Sequence, residues 1–174
     1  VSLATYTPPK VDVIKLGQGN VAMFGEDNQY PQNTIRQYRA SETHQSICDA
    51  TAELIAGDGF QFSTEDPATE DWMKPWAKTL GEGESIDRIG KRIALDMKLH
   101  NGYYLLVSWG LDGTRIVRFK YMDFSYVRRV FDEHGKVVKF LAKKIWKAGQ
   151  KEIKEGQAGV LAYPPFDPEA VFEY

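Results

Sequence analysis

One change of rhythm limits the fold more than any other feature. Between residues 31 and 101 apolar side chains recur at steps of three and four, and beyond Gly102 the step falls to two. A parallel α/β sheet needs strands and helices that interleave along the chain, whereas this chain runs through its helices first and its strands afterwards. The expected class is therefore α+β, with N-terminal amphipathic helices packed on an antiparallel β-sheet built from hairpins.

The helical half carries its own punctuation. Pro31 suits the first turn of a helix in which Ile35 and Tyr38 share a face, and Ser41 offers an N-cap for a second helix. There Ile47, Ala50, Thr51, Leu54 and Ile55 form one apolar stripe, and Gly57 supplies the stop. Phe60 and Phe62 alternate with Gln61, a short strand signal. The acidic stretch 63–83 contains Pro75, which predicts one short helix beginning near Lys74 or one kinked piece. Ser85 then caps a clearer helix with Ile86, Ile89, Ile93, Ala94 and Met97 on one stripe, ending at Asn101-Gly102.

The strands follow in pairs. Residues 103–109 and 114–121 flank the turn Gly110-Leu111-Asp112-Gly113, and residues 126–131 and 136–146 flank Asp132-Glu133-His134-Gly135. A last apolar piece spans 159–163. The division expected from this order is an extended N-terminal arm at 1–24 with one possible strand, a helical layer at 25–102, a β region at 103–163 and a Pro-rich tail at 164–174. Residues 25–163 are expected to form one compact unit.

Composition excludes several classes. The 174 residues are 43% apolar and 26% charged, enough for a real core. No run approaches 18 apolar residues, so no transmembrane helix is expected, and residues 1–15 lack the pattern of a signal peptide. A lone cysteine, Cys48, cannot form an internal disulfide and fits a reducing compartment. Residues 1–102 hold 10 Lys/Arg against 15 Asp/Glu, a net of −5, while residues 103–174 hold 12 against 9, a net of +3. The pI near 6.0 argues against an autonomous, tightly DNA-binding domain.

No catalytic or metal grouping emerges. His44, His100 and His134 fall at a helix start, a helix end and a turn, with no Cys or His at ligand spacing and no serine in a shared short motif. They read as cap or surface residues. Cys48 reads as a small buried hydrophobe. Glu26-Asp27 and Asp58 lack the alternating oxygen ligands of a calcium loop, Asp27-Asn28 reads as turn chemistry, and Gly17-Gln18-Gly19-Asn20 lacks the third glycine of a dinucleotide fingerprint. Neither a cofactor nor a metal is implied. The β half does interleave aromatics with cations, an arrangement that could stack bases and hold phosphates. The same pattern arises on any half-buried sheet.

Two stretches carry a resemblance. Tyr30-Pro31 leads into the first helix, Ser41-Glu42-Thr43-His44 starts the second and Gly57-Asp58-Gly59-Phe60 ends it. Later, residues 99–107 run from a helix through Gly102 into a strand, Leu111-Asp112-Gly113-Thr114 turns it, and Tyr121-Met122-Asp123 leads to the arginine-bearing Val127-Arg128. In order and spacing these resemble tailed-bacteriophage portal proteins, in their N-terminal helical layer and β-rich wing. The family-like positions are Tyr30, Pro31, Ser41, His44, Gly57, Gly59, Gly102, Gly113 and Asp123.

The resemblance implies a structural subunit with no enzymatic activity. It implies a homo-oligomeric ring, typically of twelve subunits, at the capsid vertex of a virion, made in the cytoplasm of a bacterial host or from a prophage. Its implied partners are other copies of itself, the major capsid protein, terminase and head–tail connector proteins, and double-stranded DNA held non-specifically; no membrane is involved. The long channel helix and clip of that family have no counterpart after residue 130, so the chain is expected to be a wing portion. Arg115, Arg118, Arg128 and Arg129 are the expected inter-subunit or DNA-phosphate contacts. The alternatives are another phage head or head–tail joining component, or a stand-alone nucleic-acid-binding β-domain.

Overall fold

Helix ends form where short polar side chains can satisfy backbone groups. In the computed structural model, which describes residues 13–16, 19–61, 64–81, 83–111, 116–148, 150, 152–153 and 156–166, helix α1 spans Tyr30–Ala40 with Pro31 buried in its first turn. Helix α2 spans Glu42–Ala56; the Ser41 hydroxyl accepts the His44 N–H at 3.3 Å, and Gly57 ends the helix at φ 56°. Of the two forms expected for the next segment, a short helix from Lys74 or one longer piece containing Pro75, the second is found.

That helix, α3, spans Pro67–Thr79, so it starts seven residues before Lys74. The Asp66 carboxylate accepts the Ala68 N–H at 3.1 Å and the Thr69 hydroxyl at 2.6 Å, and Pro67 takes the first helical position, where a missing N–H costs nothing. Pro75 lies inside the helix and leaves one carbonyl of the preceding turn without its usual donor. Helix α4 spans Ile86–His100, capped by Ser85 and stopped by Asn101 in the left-handed conformation at φ 55°.

The described strands form two antiparallel sheets, as the α+β class requires. Strands β3 (Tyr104–Trp109) and β4 (Ile116–Met122) pair with Tyr104 opposite Met122, and the register shifts between Ser108 and Trp109. The larger sheet has the order β1-β2-β5-β6-β7, with β1 at Val13–Leu16, β2 at Gly19–Ala22, β5 at Val127–Phe131, β6 at Val137–Lys143 and β7 at Val160–Tyr163. Between β5 and β6 the Asp132 carboxylate accepts the N–H groups of His134 and Lys136, each at 2.9 Å. Those bonds, Lys136 first, hold its carboxyl below the usual range. Phe60 and Gln61 form no strand, and Phe62 lies outside the described residues. The Phe60 ring instead covers Gly90 on α4, where an added Cβ would collide with it.

Two compact units result, and they do not follow sequence order. The first combines the described residues of 1–30 with 128–165, and the second those of 31–127 with Phe166. The structure thus differs from a single unit at 25–163 with a separate arm. The reason is strand pairing: β2 joins β5, with Asn20 opposite Phe131 and Val21 opposite Val130, so the N-terminal segment belongs to the sheet. This unit has its own core of Val21, Val130, Leu141, Trp146 and Ile153, with Met23 and Val160 packed against it. Each such large apolar side chain contributes roughly 1.5–3 kcal/mol on full burial.

In the second unit α2 packs on α4, and α4 on β4. Here the fold corrects the sequence. The stripe Ile47, Leu54 and Ile55 is exposed, at 56%, 84% and 64%, and α2 instead buries the small residues Cys48 and Ala52. Small side chains let two helix backbones approach closely, so the α2–α4 contact uses the neighbouring face. Helix α4 buries Ile89 and Ala94 as its stripe predicts, together with two polar residues, Asp96 and His100.

Candidate functional site

Among the described residues each unit holds a buried polar cluster, built by a helix or turn that brings distant sequence together. In the first unit Asn28 sits in a turn at φ 60°, a conformation Asn tolerates better than most residues. Its side-chain oxygen accepts the Phe24 N–H at 3.1 Å and the Arg128 Nε at 2.7 Å, and its backbone carbonyl accepts the other end of the guanidinium at 3.0 Å. The Arg128 carbon lies 4.7 Å from the Phe24 ring centroid and 4.9 Å from that of Trp146. Gln29 completes the frame by donating to the Trp146 carbonyl at 2.7 Å.

Arg128 is therefore not the surface contact expected of it. It is fully buried, and its charge is held by carbonyl oxygens and aromatic faces inside its own unit. An arginine so enclosed orders the turn that starts α1 and cannot reach a phosphate outside. Asn28 and Trp146, its partners, are not visible in the local sequence. They are 100 and 18 residues away, a separation that local pattern does not reveal.

In the second unit the cluster is acidic. Asp96 and His100 lie one turn apart on α4, 7% and 8% exposed. The Tyr121 hydroxyl, from β4, donates to the Asp96 carboxylate at 2.7 Å, and the Arg92 guanidinium lies 5.0 Å from the Tyr121 ring. Burial pushes the Asp96 carboxyl up to about 7, against the pull of the Tyr121 bond and with a further push from the charge of Asp123. Burial also raises Tyr121 and lowers His100. The His100 ring stacks on Phe124 at 4.6 Å and 8°, and neither of its nitrogens has a hydrogen-bond partner among the described residues. His100 is thus a buried stacking residue and not the cap or surface residue that its place at a helix end predicts.

The remaining candidates sit apart from these clusters. Arg118 is exposed on β4 opposite Ser108 in the second unit, Arg129 is exposed on β5 in the first, 5.7 Å from the Phe131 ring, and Arg115 lies outside the described residues. Of the other histidines, His44 is exposed in the first turn of α2 with its ring edge-on to Tyr38, and His134 is exposed in the β5–β6 turn. Cys48 is buried, as its place on α2 predicts.

The family-like positions have definite structural work. Ser41 and Gly57 bound α2, Pro31 fills the start of α1 beside the half-exposed Tyr30, and Gly59 has φ 97°, where a Cβ would run into the Asp87 carboxylate. Gly102 leaves room for the Phe124 ring, 3.2 Å from where its Cβ would be. Asp123 caps the 3-10 turn Phe124–Tyr126, accepting the Ser125 N–H at 2.9 Å and its hydroxyl at 2.6 Å. Gly113 lies outside the described residues.

Among the described residues no group of three or more His, Cys, Asp or Glu side chains could hold a metal ion, and no helix is long and apolar enough to cross a membrane. An open pocket of about 220 Å³ lies between α3 and the start of α4, floored by Phe60, Ala77 and Ile86. Two of its polar groups are engaged within the unit: Lys74 pairs with Glu70 at 2.6 Å, and Asp87 accepts the Phe60 N–H at 2.8 Å. No protein-family model, curated protein or solved structure matches the chain.

Proposed function

We propose that this chain is the wing portion of a phage portal subunit, a structural part of the ring through which double-stranded DNA passes at one vertex of the capsid. The observation that carries the reading is the succession of Ser41-capped α2 closing on Gly57, α4 closing on Asn101-Gly102, the β3–β4 pair, and the Asp123-capped turn into the arginine-bearing β5. That succession is the one in which the sequence resembles portal proteins. A second feature supports an assembly role: the large apolar side chains Ile47, Leu54 and Ile55 of α2 are turned to solvent, as suits a surface that another subunit covers.

In this reading the work is geometric, with neighbouring copies, capsid protein, terminase and connector as partners and no catalysis. Contacts to DNA are to phosphates, non-specific and weakened by salt. The test is the solution mass of the full product of the gene beside that of this chain, by light scattering at low and at moderate salt. A ring of about twelve copies from the full product is expected, with this chain far smaller. A full product that stays monomeric ends the portal reading. The competing reading, a stand-alone nucleic-acid-binding β-domain, draws on the exposed Arg118 and Lys120 of β4 and predicts strong, salt-dependent DNA affinity for this chain alone.

A further inference from the structure

Helix α2 combines an unpartnered apolar face with an electrostatic bias. It contains Glu42, Asp49 and Glu53 and no Lys or Arg, and Asp58 follows it, exposed. Its last turn has no basic residue, although α1 ends with Arg39, α3 with Lys78 and α4 with Lys98 and His100. The carbonyls of a helix C-terminus carry partial negative charge, which cations stabilise. Glu53 is engaged by Lys91 of α4 at 2.6 Å, but the side of α2 that bears Leu54 and Ile55 meets no cation among the described ion pairs. The most exposed apolar residues of α2 therefore lie at its most negative end.

The complementary surface exists on the same chain. Residues 136–147 hold five lysines and no acidic residue. Just after β6, Lys144 and Lys147 are exposed and flank Ile145, which is 66% exposed, while Trp146 between them is buried in the core of its unit. One isoleucine between two cations, held up by a buried tryptophan, matches in size and sign the end of α2, where two apolar side chains adjoin an aspartate and a negative helix terminus.

We infer that the C-terminal end of α2 in one copy docks on the Lys144-Ile145-Lys147 segment of a second copy. The two surfaces are different, so the contact is heterologous, the kind that builds closed rings or open filaments and not an isolated two-fold dimer. This rests on the assembly reading above and gives it a specific contact. The patch is smaller than the roughly 1,200 Å² of a stable interface, so one contact alone is weak and gains strength when a ring brings many together.

Disulfide trapping suits a weak contact. Leu54→Cys and Ile145→Cys are made separately in the 174-residue chain, and both sites are exposed enough to leave folding intact, which far-UV circular dichroism checks. The native Cys48 is buried, and the wild-type chain serves as its control. With a mild oxidant the mixture of the two variants is expected to give a covalent dimer linked 54 to 145, identified by peptide mass. Neither variant alone is expected to dimerise to that extent. Adding Lys144→Glu and Lys147→Glu to the Ile145→Cys chain is expected to cut the yield roughly tenfold, because like charges then face each other.

Two results overturn the inference. Dominant 54–54 or 145–145 dimers would mean a two-fold contact, and a yield no higher than that of Leu111→Cys, an exposed control, paired with Ile145→Cys would mean random collision. The mass of the full product is read separately: a ring without the 54–145 link ends this inference alone, whereas the absence of a ring ends the portal reading.

Discussion

The Tyr121 hydroxyl donates a 2.7 Å hydrogen bond to the Asp96 carboxylate, tying β4 to α4 through a buried acid. Because burial outweighs this bond, Asp96 holds its proton more tightly folded than unfolded, with a pKa raised from 3.8 to about 7. Its contribution to stability is fully present below the unfolded value and is lost as pH rises through about 7. Asp96→Asn keeps an acceptor for Tyr121 and removes the titration. Denaturant melts should show it nearly matching the wild type near pH 4 and exceeding it above pH 8, by about 4 kcal/mol at most for a carboxyl raised from 3.8 to about 7. A gain independent of pH would show that the buried charge is not the cause.

His100 gives the opposite slope from the same helix. Its folded pKa lies below 6.5, so its contribution is present above that value and is lost as pH falls through the lowered one. His100→Phe keeps the stack on Phe124 and removes two nitrogens that have no partner among the described residues. Thermal melts at pH 7 should rise, since leaving buried polar atoms unsatisfied costs about 1–3 kcal/mol. The acid limb of the stability profile should flatten below pH 6. A drop in melting temperature would mean that the nitrogens are satisfied in solution.

These two residues also mark where sequence reading stops. Alternation and caps reveal most elements: Ser41, Ser85 and Asn101 act where their types predict, and the strands at 104–109, 116–122, 127–131, 137–143 and 160–163 follow the period-two stretches. Periodicity does not say which of two adjacent helix faces will be covered. On α2 the large side chains were the louder signal, yet close helix packing selects Cys48 and Ala52. Asp96 and His100 are spaced one turn apart, a detectable signal, but polar residues at that spacing usually face water. Of the arginines, Arg128 could not be told from Arg129 by neighbours alone; alternation places one inward and one outward on β5, and only the fold shows which.

The enclosure of Arg128 makes a sharp prediction about Arg and Lys. A guanidinium can meet both oxygens of Asn28 while lying between Phe24 and Trp146, and an ammonium cannot match that planar geometry. Arg128→Lys should cost about 2 kcal/mol in urea unfolding despite keeping the charge. Asn28→Gly suits the positive φ and keeps the backbone carbonyl, so it removes only the side-chain acceptor. A double-mutant cycle between the two should return a coupling of about 1–3 kcal/mol. Additive effects would mean that Asn28 does not hold the guanidinium.

The two faces of α2 differ in what they should tolerate. Leu54 is 84% exposed, so Leu54→Glu removes little buried area and should change unfolding free energy by no more than about 0.5 kcal/mol. Ala52 is 6% exposed on the face turned toward α4, where a larger side chain has to displace its neighbours; Ala52→Leu should cost about 1–3 kcal/mol although it adds an apolar group. The comparison is decisive because hydrophobicity alone predicts the reverse order. Urea melts of the two variants at one pH measure it, and a Leu54→Glu loss as large as that of Ala52→Leu would show that the chain covers this face itself, leaving it unavailable to a second copy.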